Sequence, residues 1–169
     1  MFHAFDSDGP NRPITRPDWM ALLARTPLAL LESALHEDAA QAPQWLRPPE
    51  TGLMMVQGRA GGNGERFNLG EVTVTRCALR LKENADDGAV GVAYVLGRNL
   101  RQCELAAVAD ALLQDPQHQD RLTHTLLSPV RAHLSQRESL RHARAQSTRV
   151  DFFTVARESG GDADEGDDA

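Results

Sequence analysis

Residues 59–76, RAGGNGERFNLGEVTVTR, set Arg59 and Arg66 around Gly61, Gly62 and Gly64, directly before a β-branched run. Backbone amides in such a loop can form a nest for an anion, with guanidinium groups beside it. The spacing matches neither a P-loop nor a dinucleotide fingerprint, and no helix follows at once to lend its N-terminal dipole. Asn63-Gly64 between two strand-like runs reads instead as a tight hairpin turn, because both residues tolerate positive φ. Gly61-Gly62 adds more backbone freedom than a two-residue turn requires, and Arg59, Glu65 and Arg66 surround it. The hairpin reading leads, and the anion nest stays open beside it.

Other residues of chemical interest are scattered. Arg76, Arg80 and Arg98 fall on strands or at their ends, where one exposed face would present them together, or where they would lie at sheet edges beside carboxylates. Arg131, Arg137, Arg141, Arg144 and Arg149, with His133 and His142, form a basic helical stretch that invites a nucleic-acid reading. Aromatic interleaving is missing there, so subunit contact or a solvated face accounts for it better. His118, His124, His133 and His142 lack the short paired spacing of helix-borne metal ligands, so no metal site is expected. Cys77 and Cys103 are too far apart for a zinc knuckle and read as buried reduced thiols. No serine, cysteine or histidine stands in a nucleophile motif, so no catalytic residue is assigned.

The elements that must position these residues follow from periodicity. Trp19, Leu22 and Leu23 sit at helical spacing. Thr26-Pro27 reads as an N-cap and first helical residue for a second helix, with Leu28, Leu31 and Leu35 as its stripe. Pro43, Pro48 and Pro49 end the helical start. Strands follow at 51–59, 71–81 and 89–97, with 82–88 as a turn, which makes an antiparallel meander the economical arrangement. In the second strand the apolar residues change face midway, which predicts a bulge near Arg76 or cover on both sides. Residues 99–115 form a helix whose stripe is Leu105, Val108, Ala109 and Leu112. Pro116 and Pro129 bracket a shorter helical piece, and a polar helix runs over 130–149. The apolar burst RVDFFTVAR closes the ordered pattern.

These elements make an α+β fold: an antiparallel meander packed against helices, with an N-terminal helical pair and a C-terminal helical region. The 169 residues suffice for one ordinary domain, placed at 15–157. Residues 1–14 are expected to be a flexible arm. The formal charge of -6 resides in residues 158–169, ESGGDADEGDDA, an acidic tail too poor in apolar residues to order itself. The rest balances to zero, with Lys82 as the sole lysine among arginines. The N-terminus lacks the basic start and apolar core of a signal peptide, and no stretch is apolar enough to span a bilayer. A soluble, cytoplasmic protein is expected.

The blocks RAGGNGERFNLGEVTVTRCALRL, GVAYVLGRN, CELAAVADALLQ and TRVDFFTVAR, in that order, resemble the PhnG subunits of the bacterial carbon-phosphorus lyase system. The resemblance runs from about Trp19 to Arg157. It implies a small cytoplasmic subunit of a core complex with PhnH, PhnI, PhnJ and later PhnK, engaging neither nucleic acid nor membrane. The complex would take MgATP as co-substrate, with no cofactor bound by this chain alone. A phosphonate oxygen would attack the anomeric carbon of the nucleotide ribose and adenine would leave, chemistry usually attributed to PhnI. By resemblance, anion positioning or assembly falls to Arg59, Gly61, Gly62, Gly64, Glu65, Phe67, Thr75, Arg76, Gly97, Arg98, Glu104, Asp110, Arg149, Asp151, Phe152 and Phe153, and Arg66, beside the loop, is a further candidate read from the residues themselves. Where family members often read Gly-Arg-Asp and His-Ala-Glu, this chain has Gly97-Arg98-Asn99 and Gln102-Cys103-Glu104. A contrasting reading is a small nucleic-acid-binding or general interaction module built on the arginine-rich helix 131–149.

Overall fold

A computed structural model describes residues 14–38, 43–81 and 88–149. The chain divides into two compact units, Met1–Ser135 and Gln136–Ala169. In the first, helices α1 (Arg16–Leu23) and α2 (Leu28–Ala34) precede strands β1 (Gln44–Arg59), β2 (Arg66–Arg80) and β3 (Val90–Leu96). Helices α3 (Leu100–Leu113) and α4 (Pro116–Leu122) follow, and α5 (Ser128–Ser147) begins there. The described part of the second unit is helical to Ser147, and its side chains are exposed. The expected α+β class, helical pair, antiparallel meander in the order β1-β2-β3 and C-terminal helix are all present. The arm, the acidic tail and most of the 82–88 turn lie outside the described residues.

Local chemistry sets most helix boundaries. The Asp18 carboxylate accepts from the Thr15 backbone N–H at 2.9 Å at the start of α1. Asn99 Oδ1 accepts from the Gln102 N–H at 3.0 Å to cap α3, and Asp115 Oδ1 accepts from the Gln117 N–H ahead of α4. Thr26 departs from expectation. Its hydroxyl donates to the Leu22 carbonyl at 2.9 Å, finishing α1, and Pro27 itself occupies the N-cap of α2. Pro129 does not interrupt the helix either. The preceding turn, Thr123–Leu127, widens into a π-helical turn, and proline's missing N–H is tolerated in the first turn of α5.

The core lies between α3 and one face of the sheet. Residues Cys103 and Leu105 to Leu113 are buried all around α3, including the expected stripe. Thr75, Cys77 and Leu79 of β2, opposite Val95, Ala93 and Gly91 of β3, supply the sheet side. Leu31, Leu35, Leu122, Leu126, Leu127 and Val130 close it from the helices, each contributing about 1.5–3 kcal/mol by burial. Gly91 permits the approach of β3 to α3, because a Cβ there would run into the Ala107 carbonyl oxygen.

β1 and β2 start earlier than periodicity indicated, at Gln44 and Arg66, whereas β3 is slightly shorter, Val90–Leu96. β1 absorbs Pro48 and Pro49, which an edge strand tolerates. The bulge expected near Arg76 sits on the opposite strand: β1 carries an extra residue between Arg47 and Glu50, across from Ala78 and Arg76. A further irregularity inserts Leu69 into β2, where Val56 faces Gly70 and Gln57 faces Asn68. Among the described residues, no helix is long and apolar enough to cross a membrane.

Candidate functional site

β3 reaches only as far as the Val74–Leu96 pair, whereas β1 and β2 continue to the Arg59–Arg66 pair. Residues 53–59 and 66–73 therefore form a two-stranded ribbon beyond the three-stranded sheet. Opposed residues share a face. One face continues the side of the sheet that α3 covers, and it carries Leu53 and Thr73, Met55 and Glu71, Gln57 and Asn68, and finally Arg59 and Arg66. The other face pairs Met54 with Val72, Val56 with Gly70 and Gly58 with Phe67. Leu69, the bulged residue, lies over Gly58, where a Cβ would stand 2.8 Å from its Cδ1. That second face is an apolar stripe. Its Met54 (45%), Phe67 (48%) and Leu69 (63%) are exposed and its Val56 and Val72 half-buried, while Leu53 (65%) and Met55 (48%) are exposed on the first face.

The tip differs from a two-residue Asn-Gly turn. Six residues, Ala60 to Glu65, join the last paired positions, with a 3₁₀ turn over Ala60–Gly62. The positive φ values fall on Gly61 (59°) and Gly62 (84°), while Asn63 stays at -116°. Gly64 serves differently: its N–H donates to the Ala60 carbonyl at 2.8 Å, so close that a Cβ would meet that oxygen. Arg59 Nη1 donates to the Gly64 carbonyl at 3.3 Å and braces the loop. Among the described residues, no carboxylate pairs with Arg59 or Arg66, although these like charges stand directly opposite each other.

The remaining residues named from sequence do not gather at this tip. Thr75 is buried, and its hydroxyl donates to the Gly97 carbonyl at 2.8 Å and lies 3.1 Å from the Thr51 hydroxyl. Gly97, at φ 99°, turns the chain from β3 toward α3. Arg76 donates to Glu50 at 2.8 Å across β1 and β2, an exposed pair worth at most about 1 kcal/mol. Glu104 pairs with Arg101 at 2.9 Å on α3. Arg98 and Arg149 are exposed, and Asp151, Phe152 and Phe153 lie outside the described residues. Arg131, Arg137, Arg141 and Arg144 are exposed along α5.

Asp110 is engaged inside the fold. It is fully buried, and its carboxylate accepts from Arg16 Nε and Nη2, Trp19 Nε1 and the Val92 N–H, tying α1 and β3 to α3. Periodicity did not show that Arg16 and Trp19 would meet it, since they stand more than ninety positions away. Cys77 and Cys103 also come together, with their sulfurs 3.4 Å apart in the core. The hydrogen bond with Cys103, with burial behind it, pushes the Cys77 thiol far above its ordinary pKa.

The residues that sequence reasoning missed are Leu53, Met54, Met55, Val56 and Leu69. For the first four the available signal was the uncharged run TGLMMVQG, read as a strand, and Leu69 lay outside the strands read from periodicity. The arrangement can present fixed positive charge at a tip and apolar surface along an arm. Elsewhere, a shallow apolar cleft between α1 and β3 is lined by Met20, Ala21, Leu23, Ala24, Val92 and Tyr94. The family model described as "Phosphonate metabolism protein PhnG" matches residues 14–158. The chain is also 40% identical over 145 residues to the alpha-D-ribose 1-methylphosphonate 5-triphosphate synthase subunit PhnG of Rhizobium meliloti (strain 1021), across 84% of this chain and 88% of that protein.

Proposed function

The chain belongs to the PhnG family of phosphonate metabolism proteins, and from that membership we propose that it is an accessory, non-catalytic subunit of the carbon-phosphorus lyase core complex. The activity it serves joins an alkylphosphonate to C1′ of the ribose of ATP and releases adenine. Its partners are PhnH, PhnI and PhnJ, with PhnK joining later, in the cytoplasm. The observation that carries this reading is 40% identity, over most of both chains, to a protein named as a subunit of that synthase.

The chemistry explains why a subunit without its own reaction centre is useful. MgATP and a phosphonate are both anionic, and bringing them together requires fixed positive charge and accurate positioning. As adenine leaves, positive charge develops on the ribose, and dipoles held in place by neighbouring subunits stabilise it more than mobile water does. Arg59 and Arg66, opposed at a glycine-shaped tip, are the groups of this chain best suited to meet a substrate phosphate or a partner's carboxylate. Family membership lends no support to a nucleic-acid-binding or general interaction module on helix 131–149.

The test is reconstitution. The chain is expressed with and without PhnH, PhnI and PhnJ, and adenine release from MgATP is measured with methylphosphonate present. Release is expected only when all subunits are combined. Turnover by the solitary chain overturns the non-catalytic role, and full turnover without it overturns the requirement.

A further inference from the structure

The outer side of β1 is an unpaired sheet edge among the described residues, since the order is β1-β2-β3. Natural edges are protected by charges, prolines, bulges or cover. On β1 those devices, Arg47, Pro48, Pro49 and the register shifts on either side of Arg47, cluster toward the end where β3 completes the sheet. Residues 51–58, TGLMMVQG, have no charge and no proline, and the bulge at their level belongs to β2. Their open backbone edge is flanked by exposed apolar side chains on both faces, Leu53 and Met55 on one and Met54 on the other. With Phe67 and Leu69 the exposed apolar area, summed over the two faces, is on the order of 500 Å², a good part of one side of a stable interface. A two-stranded ribbon is marginal alone in water, and a third strand would stabilise it.

The geometry points to strand addition: an extended segment of another subunit of the synthase pairs with residues 51–58 and makes the ribbon three-stranded. This assignment rests on the reading of the chain as a subunit. The expected occupant carries apolar residues on both faces and a carboxylate opposite Arg59. Charge argues against a second copy. In a symmetric antiparallel pairing with Leu53, Met54 or Met55 on the two-fold axis, Arg59 would face Arg47, Pro49 or Thr51 respectively, never a carboxylate.

The experiment uses the full chain co-expressed with PhnH, PhnI and PhnJ. The variant M54K/V56K places charge beside the edge, and L140K serves as a control at an exposed position on α5. Thermal unfolding of each isolated variant establishes that it folds. M54K/V56K is expected to reduce co-purification about tenfold or more while L140K does not. Amide exchange of the outward-facing N–H groups in 53–57 is expected to slow at least about tenfold in the wild-type complex relative to the free chain. Assembly of M54K/V56K at wild-type level, or unchanged exchange in the assembled complex, overturns strand addition while leaving the subunit role intact. Failure of the wild-type chain to assemble at all overturns both. A free chain already dimeric and protected at 53–57 replaces the partner strand with a second copy and overturns the proposal.

Discussion

Replacing Asp110 by alanine should destabilise the fold by about 3–5 kcal/mol. The magnitude follows from the donors around a wholly buried carboxylate on α3. Oδ1 accepts from Trp19 Nε1 at 2.9 Å and Arg16 Nε at 3.2 Å, and Oδ2 accepts from Arg16 Nη2 at 2.7 Å and the Val92 N–H at 2.9 Å. Truncation leaves the Trp19 indole N–H and the Val92 amide without an acceptor, each costing about 1–3 kcal/mol. Arg16 is treated differently because its side chain is 40% exposed. It regains water, so the lost ion pair adds only about 1 kcal/mol. In a chain of this length the melting temperature should fall by roughly 10 °C. Urea unfolding followed by far-UV circular dichroism measures the change, with Trp19→Phe as a control that keeps the ring and removes one donor, for about 1 kcal/mol. A loss below about 1 kcal/mol for Asp110→Ala, with an unchanged denaturant slope, would refute the argument that this carboxylate joins α1 and β3 to α3.

Gly91→Ala should cost about 3 kcal/mol or more, because the added methyl meets the Ala107 carbonyl of a helix that cannot retreat, and chemical denaturation checks it. Cys77 holds its proton in the fold beyond its ordinary value of 9.0, so above about pH 9 the unfolded chain loses a proton that the native chain keeps. Stability should therefore fall with rising pH there by up to about 1.4 kcal/mol per unit, and the double change Cys77→Ala with Cys103→Ala should flatten that slope in unfolding titrations, since burial raises whichever thiol is left alone. The double change Arg59→Ala with Arg66→Ala should shift stability by less than about 0.5 kcal/mol, since it removes a like-charge pair from an exposed tip. It should nonetheless lower adenine release or assembly of the reconstituted complex, and unaltered growth on a phosphonate as sole phosphorus source would refute the role.

What the sequence determined by itself was local. The helix read over 99–115, its stripe of Leu105, Val108, Ala109 and Leu112, and the β-branched run 72–75 act over a few residues, and side-chain period decides them wherever the chain goes. The family motifs also marked Thr75, Gly97 and Asp110, though not their work. Only the tertiary structure decided that Asp110 would receive Arg16 and Trp19, that Cys77 would meet Cys103, and that β3 would stop at Leu96 while β1 and β2 ran on. Alternation can show that a strand has two faces, yet whether a third strand or a helix covers them depends on where distant segments end. That is why the strand read at 51–59 did not reveal that Leu53, Met54 and Met55, with Leu69 across from them, would stand exposed on an arm in the fold.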